Sequence, residues 1–367
     1  MNFDFYMPTK IICGENCIYK NKELFNIGRC ALIVTGANSA IKSGALDDVV
    51  SALSECGIDY VIYDGVRENP LMSTAYEAGV IAREYDCDFV IGIGGGSPMD
   101  CAKAIAAYVA NPDIAPIEIF DSSKLNKSLP IILVPTTSGT GSEANPYSIL
   151  SLDGKDAKKT FNSVYSYPQY AFLDYRYSLS MGLNVTLSCA LDAFCHCIES
   201  YLSPKANEIS KMFALWGAQK IWKCLDDILN ESLSNEQREE LLYASFCGGV
   251  AINITGTGFP HPMGYNLTFE FGIPHGKACA IFTGKYIEYQ LKDDKGRARL
   301  ESFASYIGAQ IDEIKDKIPK ISGVCEKLDS KTIDKFYSKI SNAGNFANAC
   351  CKIDKDDIYK IYGELFK

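Results

Sequence analysis

DFVIGIGGGSPMDCAKAIAAYVA, residues 88–110, is the stretch from which the fold can be read. Asp88–Ile93 is an apolar run of strand length. Gly94, Gly95 and Gly96 form a turn, Ser97 opens a helix with Pro98 behind it and Asp100 three residues on, and an alanine-rich segment follows. A buried strand that feeds a helix through bare glycine backbone brings free N–H groups, at the positive end of the helix dipole, against an anion. A cofactor pyrophosphate suits that place. The spacing is GxGGGS, with Ser97 where the last glycine of the dinucleotide fingerprint GxGxxG would stand, and there is no GxxxxGK[ST] loop. The plainer alternative is a glycine turn serving only tight strand–helix packing.

Outward from this unit the same alternation recurs. Strands are expected at Lys10–Cys13, Ala31–Thr35, Tyr60–Tyr63, Pro130–Val134 and Tyr170–Leu173, with amphipathic helices at Ser43–Cys56 and Ser73–Glu84. Continuous apolar strands separated by helices imply a parallel, doubly wound sheet. Beyond about Ser178 long helical periods take over, at Glu208–Leu229, Glu236–Ile252, Arg297–Ile311 and Lys355–Phe366. Ser234 and Gln237 have the spacing of a capping box before the second of these. The expected architecture is an N-terminal α/β dinucleotide-binding domain, residues 1–178, joined to an all-helical C-terminal domain, residues 179–367. A second polar loop, PTTSGTGSEAN, follows the strand at Pro130–Val134 and adds hydroxyls from Thr136, Thr137 and Ser142 at a strand's C-terminal end, where open α/β sheets bind ligands.

The net charge of −9 and the absence of a basic patch argue against nucleic acid or an anionic membrane as partner. No apolar run has bilayer length, and the first residues do not read as a signal peptide, so a soluble cytoplasmic protein is expected. Fifteen cysteines are an odd count with no CxxC pair, and most read as buried thiols in a reducing compartment. Cys195 and Cys197 flank His196 and would make its site sensitive to oxidation if they were exposed.

The chain has three histidines, and all lie in the helical half. Asp192 and His196, four apart in LDAFCHCIES, share one helix face. His261 and His275 flank HPMGYNLTFEFGIPHG, the second in a Pro-His-Gly turn. Each alone could be an ordinary packed histidine. Together with Asp192 they make a mixed oxygen and nitrogen donor set suited to a borderline divalent ion.

GGGSPMDCAKAIA, PTTSGTGSEAN, LDAFCHCIESYLS, HPMG with GIPHGKACAIF, and IDKDDIYKIY near the end together resemble the iron-containing (group III) alcohol dehydrogenases, in the flavour of the 1,3-propanediol and butanol dehydrogenase branch. The resemblance runs along nearly the whole chain. It implies a dehydroquinate synthase-like architecture, a homodimer, and Fe²⁺ (or Zn²⁺) held by Asp192, His196, His261 and His275. It places the pyrophosphate at Gly94, Gly95, Gly96 and Ser97 with Asp100, the nicotinamide and ribose near Thr136, Thr137 and Ser142, and a cofactor contact at Lys159. Many relatives have a further histidine four residues after the third ligand, assigned to proton relay or substrate contact. Tyr265 stands there in this chain. A phenol with a reference pKa of about 10 is a poor base near neutrality.

An acid after Thr35 would hold a ribose 2′-hydroxyl and repel a 2′-phosphate. Gly36, Ala37, Asn38 and Ser39 occupy the place, with Lys42 beyond, which favours NADP(H) over NAD(H). The implied reaction is reversible hydride transfer between the nicotinamide and a small primary alcohol or aldehyde at a Lewis-acidic ion. Tyr147, Phe259, Tyr265, Phe269 and Phe271 are candidate walls. Rival readings within the fold are a zinc glycerol dehydrogenase and a dehydroquinate synthase-like lyase, though the lyase needs basic residues of which only Lys277 is evident. A non-catalytic metal- or nucleotide-binding protein is the rival of another class.

Overall fold

The apolar runs of the first half become neighbouring strands in the computed structural model, which describes residues 3–366. The strands are β1 (Lys10–Cys13), β2 (Cys30–Thr35), β3 (Asp59–Tyr63), β4 (Phe89–Gly94), β5 (Ile131–Pro135), a separate antiparallel hairpin β6 (Tyr147–Ser151) and β7 (Lys158–Asn162), and β8 (Tyr170–Leu173). The main sheet runs β1-β8-β5-β4-β2-β3, every pairing parallel. Side chains of its middle strands alternate between two cores. Leu32, Val34, Val90 and Leu133 join one, and Ala31, Ile33, Ile91, Ile132 and Val134 the other. Burial on both faces is why these runs read as continuously apolar. β3, at the edge, leaves Tyr60 and Ile62 exposed.

Helices α1 (Cys17–Lys20), α2 (Ser39–Lys42), α3 (Ala45–Glu55), α4 (Met72–Glu84) and α5 (Gly96–Ala110) fill the crossovers. Val49 and Leu53 of α3 enter one core; Ala75 and Ala78 of α4 with Met99 and Ala102 of α5 enter the other. Chain order reverses between β2 and β4, since β3 lies outside β2 while β5, β8 and β1 lie beyond β4. Such a reversal leaves a ligand crevice at the C-terminal ends of the two strands. Thr35 pairs with Ile93, so the loops beginning at Gly36 and Gly94 leave the sheet side by side.

The glycine helix starts earlier than its residue types suggest. Gly95, not Ser97, is the N-cap, and Ser97 Oγ accepts the Asn69 N–H at 3.3 Å. Pro98 is then the third helical residue, where a missing N–H costs nothing. Gly92 lets α5 come down on the sheet: a Cβ there would meet Ala102 Cβ and Leu133 Cδ2 at 2.8 Å.

The remaining helices are α6 (Leu183–Leu202), α7 (Glu208–Leu229), α8 (Asn235–Thr255), α9 (Pro260–Phe271), α10 (His275–Ala280), α11 (Thr283–Gln290), α12 (Asp294–Ile307), α13 (Ile311–Ser322), α14 (Ser330–Ile340) and α15 (Lys355–Leu365). The single helix expected over 297–311 is broken at Gly308, whose φ of 78° ends α12 before Ile311 opens α13. The capping box of α8 is present, with Ser234 and Gln237 exchanging bonds of 2.9 and 3.2 Å. The chain divides into a unit of Tyr6–Met181 with Ser234–Phe246 and a helical unit built mainly of residues 182–233 and 247–366. One cut after residue 178 misses that return. Leu242 of α8 packs in the first unit with Ala171, Leu173 and Tyr175. Among the described residues no helix is long and apolar enough to cross a membrane.

Candidate metal centre and nucleotide loops

Asp192, on the buried face of α6, is the hub of the helical unit's polar cluster. Its Oδ1 lies 3.6 Å from His196 Nε2, 3.5 Å from His261 Nε2 and 3.6 Å from His275 Nε2. His196 comes from the next turn of α6, His261 from the first turn of α9, and His275 opens α10 directly after Pro274. The His196 and His261 rings stack at 4.8 Å, and the His275 ring stands edge-on to His261 at 5.4 Å. Asp192, His196 and His261 are buried, whereas the His275 side chain is 30% exposed, so the cluster opens on the His275 side. Tyr265, one turn after His261, stacks on the His275 ring at 5.3 Å.

Three glycines allow these helices to meet. A Cβ on Gly276 would stand 1.8 Å from the Ser188 carbonyl oxygen of α6. One on Gly264 would press into the Ala278 backbone at 2.9 Å, and one on Gly248 would come within 3.2 Å of His196 Cβ. The Pro-His-Gly turn thus has a steric reason: His275 reaches Asp192 only because the next residue has no side chain.

The donors fit a divalent ion. Asp192 Oδ1 and His261 Nε2 are buried with no hydrogen-bond partner, a costly arrangement unless something else binds both. Donors about 2.1 Å from a tetrahedral ion stand about 3.4 Å apart, close to the separations seen. Burial, the largest single influence, pushes the Asp192 carboxyl up, yet His196, His275 and His261 together hold it well below the usual carboxylate range.

Glu199, one turn beyond His196 on α6, has no place in the ligand set yet completes the site. Its Oε2 lies 2.8 Å from His261 Nδ1 and accepts the Gly258 N–H at 2.6 Å. Burial alone would push His261 down; Glu199 and Asp192 raise it to about 10. A carboxylate on Nδ1 fixes the tautomer and ring so that Nε2 faces the ion. The signal was available as the Asp192, His196, Glu199 spacing, which follows one helix face. Glu199→Gln is expected to weaken metal binding by about 10–100-fold with the fold intact. Chelator competition reads this, and an unchanged affinity would count against the role.

One alternative is excluded here and one expectation fails. Cys195 and Cys197 are fully buried, and burial pushes both thiols well above their ordinary range, so the CxC pair offers no exposed thiolate for oxidation. Phe259 is a core aromatic rather than a pocket wall, packed against Tyr286, Tyr289 and Phe346.

In the sheet unit the glycine turn matches an anion site. Gly94 has φ of 149°, no side chain caps α5, and the first-turn N–H groups of Gly96 and Ser97 lie beyond the reach of helix bonds. The second loop covers it: a Cβ on Gly95 would touch Thr137 Oγ1 at 3.2 Å, and one on Gly96 would meet Thr140 Cγ2 at 2.8 Å. Thr136 donates its N–H to Gly94 O at 2.8 Å, while its buried Oγ1 has no partner. Asp100 and Ser142 bond to each other at 2.6 Å, and Asp100 also accepts the Ile149 N–H. Lys103, fully buried, donates to Ser142 and to the Tyr147 carbonyl, each at 2.7 Å. These residues bind the two loops together rather than standing open. Gly36 lies beside the Val66 carbonyl, Asn38 and Ser39 are exposed, and Lys159 is exposed with its Nζ 4.8 Å over the Phe120 ring.

Glu143, in the same loop, is buried with neither carboxylate oxygen bonded. Burial pushes it up to about 7 against the pull of Lys103. A carboxyl raised in the folded state stabilises the fold below its unfolded pKa of about 4.5 and loses that contribution as pH rises to about 7, by about 3 kcal/mol if fully developed. Glu143→Gln is therefore expected to unfold at higher denaturant than the parent at pH 8 and to flatten the dependence between pH 5 and 8. A steeper dependence would contradict this.

A buried carboxylate–imidazole cluster in one unit is suited to a divalent ion, and a bare loop at a sheet's switch point in the other is suited to a phosphate. Residues 8–175 match the family model described as iron-containing alcohol dehydrogenase, and residues 186–337 match the C-terminal model of the Fe-containing alcohol dehydrogenase family. The chain is 30% identical over 321 residues to alcohol dehydrogenase 4 of Schizosaccharomyces pombe (87% of this chain, 76% of that protein). It is 32% identical over 322 residues to NADH-dependent butanol dehydrogenase A of Clostridium acetobutylicum (83% and 79%). An iron-containing alcohol dehydrogenase from Thermotoga maritima has a crystal structure similar over 100% of this chain and 99% of that one, with a TM-score of 0.92 and 35% identity. The chain belongs to the iron-containing alcohol dehydrogenase family.

Proposed function

We propose that this oxidoreductase moves a hydride reversibly between NADP(H), in preference to NAD(H), and a small primary alcohol or aldehyde, with Fe²⁺ held by Asp192, His196, His261 and His275. Zn²⁺ is the other ion these donors suit. The observation that carries the reading is the buried Asp192 carboxylate ringed by three imidazoles, with Asp192 Oδ1 and His261 Nε2 lacking any other partner. A bound divalent ion supplies Lewis-acid polarisation of the substrate oxygen. Glu199 keeps His261 oriented, and Tyr265, stacked on His275, walls the open side of the cluster. Gly94–Ser97, with Thr136 and Thr137 above, hold the pyrophosphate and the nearby ribose. Fifteen free cysteines suit a reducing cytoplasm, and a homodimer belongs to the same reading.

The preference for NADP(H) rests on Gly36, Asn38, Ser39 and Lys42 at the end of β2. The test compares NADPH and NADH oxidation over a panel of short aldehydes after reconstitution with Fe²⁺ or Zn²⁺. NADPH is expected to give the higher kcat/KM; no oxidation of either nucleotide would overturn the activity, and a higher value for NADH the preference. Gly36→Asp should move the NADPH-to-NADH ratio about tenfold toward NADH, the effect of about 1.4 kcal/mol of like-charge repulsion. The ratio is the useful readout. A Cβ at residue 36 lies 3.2 Å from the Val66 carbonyl and affects binding of both nucleotides.

A further inference from the structure

Cys30 and Cys87 belong to neither the metal cluster nor the nucleotide loops, yet their Sγ atoms face each other at 3.6 Å. They stand where β2 and β4 are already fastened together. Ala31 pairs with Phe89, and Asp88 donates its N–H to the Cys30 carbonyl at 2.9 Å. The Asp88 carboxylate accepts the N–H groups of Arg29 and Cys30 at 2.8 and 3.1 Å. Cys87 is the next residue back, so strand spacing puts the two Cα atoms about 6 Å apart, within the span of a disulfide. Both thiols lie on one face of the sheet, Cys87 within the core there and Cys30 packed against it. Cys87 is 5% exposed and Cys30 is half-buried. Both line a groove with Arg29, Asp59, Arg83 and Asp86, by which a small oxidant reaches Cys30.

We infer that Cys30 and Cys87 are a modification site for hydrogen peroxide, which joins them in a reversible disulfide that staples β2 to β4. Cys30 gives up its proton, and the thiolate attacks one peroxide oxygen. The O–O bond breaks, hydroxide takes the proton and leaves as water, and Cys30 becomes a sulfenic acid. The Cys87 sulfur then attacks the Cys30 sulfur. The S–S bond forms, the S–O bond breaks, and hydroxide leaves with the Cys87 proton as a second water. Two thiols have lost two electrons and one peroxide has become two waters. Burial, with Cys30, Asp88 and Asp86 beside it, pushes the Cys87 thiol up to about 12, so Cys87 resolves the bond that Cys30 begins. The link closes the chain from Cys30 to Cys87 into a loop and so restricts the unfolded state. It lies about 17 Å along the strands from the ends that carry Gly36 and Gly94, and leaves those loops as they are. A transient disulfide of this kind is the one expected in a reducing compartment.

The experiment treats the full chain, loaded with redox-inert Zn²⁺, with hydrogen peroxide, blocks the remaining thiols and maps tryptic peptides without reduction. A linked pair of peptides 30–42 and 84–103 is expected. Fragmentation must place the link at Cys87, because Cys101 lies in the same peptide. The thermal midpoint of the sheet unit should rise by about 5–10 °C on oxidation and return with dithiothreitol. Cys30→Ser and Cys87→Ala should show neither the link nor the rise, and the alanine avoids a buried hydroxyl. The peptide map of the parent decides even where a variant does not fold. Cys30 carried on to a sulfinic acid with no link to Cys87, or a link that joins Cys101 instead, would overturn the staple. An equal rise on oxidation of Cys87→Ala would do the same.

Discussion

Gly276→Ala is expected to destabilise the chain by about 3–5 kcal/mol and to abolish metal binding. The added Cβ would lie 1.8 Å from the Ser188 carbonyl oxygen and 2.8 Å from the Asp192 amide nitrogen. Both are backbone atoms of α6, and a carbonyl inside a helix cannot swing aside as the end of a side chain can. α10 must therefore lift away from α6, taking His275 off Asp192. The fold and the site fail together because one contact serves both. Denaturant unfolding with metal analysis of the folded fraction reads the two effects. Gly344→Ala, where a Cβ meets nothing within 4 Å, is the control. Parent-like stability in Gly276→Ala would mean that the close approach of α10 to α6 is wrong.

Asp192→Asn is the second large effect, and it leaves the shape of the site alone. The three histidine Nε2 atoms, each 3.5 or 3.6 Å from Asp192 Oδ1, share this one anionic donor. A neutral amide in its place removes the charge that balances a divalent ion, and its oxygen is the weaker donor. Structural Zn²⁺ sites hold their ion by about 10–16 kcal/mol over four ligands, so the loss of one charged ligand is expected to cost about 10²–10³ in affinity. Turnover should fall in parallel, while NADPH titrations should match the parent, because the nucleotide loops belong to the other unit. Isothermal titration with Zn²⁺ and with NADPH separates the two. Stoichiometric metal in Asp192→Asn at parent affinity would show that the ion is held elsewhere.

The strands of the sheet were legible because burial on both faces leaves a run of apolar residues with no polar alternation to confuse it, as in β2, β4 and β5. The hairpin β6–β7 was not, although its turn has an Asp153-Gly154 pair. Each strand is five residues long, and β7 begins Lys-Lys-Thr. The break at Gly308 was hidden because apolar spacing continues across it into α13. Scarcity made the histidines conspicuous, and the structure brings all three around Asp192. Glu199 escaped notice because a glutamate within a helix reads as a solvated surface charge until its contact with His261 is known. The Asp100–Ser142 bond depends on α5 meeting the loop that follows the neighbouring strand β5, which no local pattern encodes.

The reversal of strand order between β2 and β4 has a consequence for how such an enzyme changes over time. In the proposed reading the backbone that cradles phosphate leaves β4, and the residues that face the adenosine ribose leave β2 beside it. Anchor and address are thus carried on separate pieces of chain, tied to the same sheet but not to each other. On that reading a lineage can revise residues 36–39, and with them its choice of reducing currency, while the glycine turn after β4 is inherited untouched.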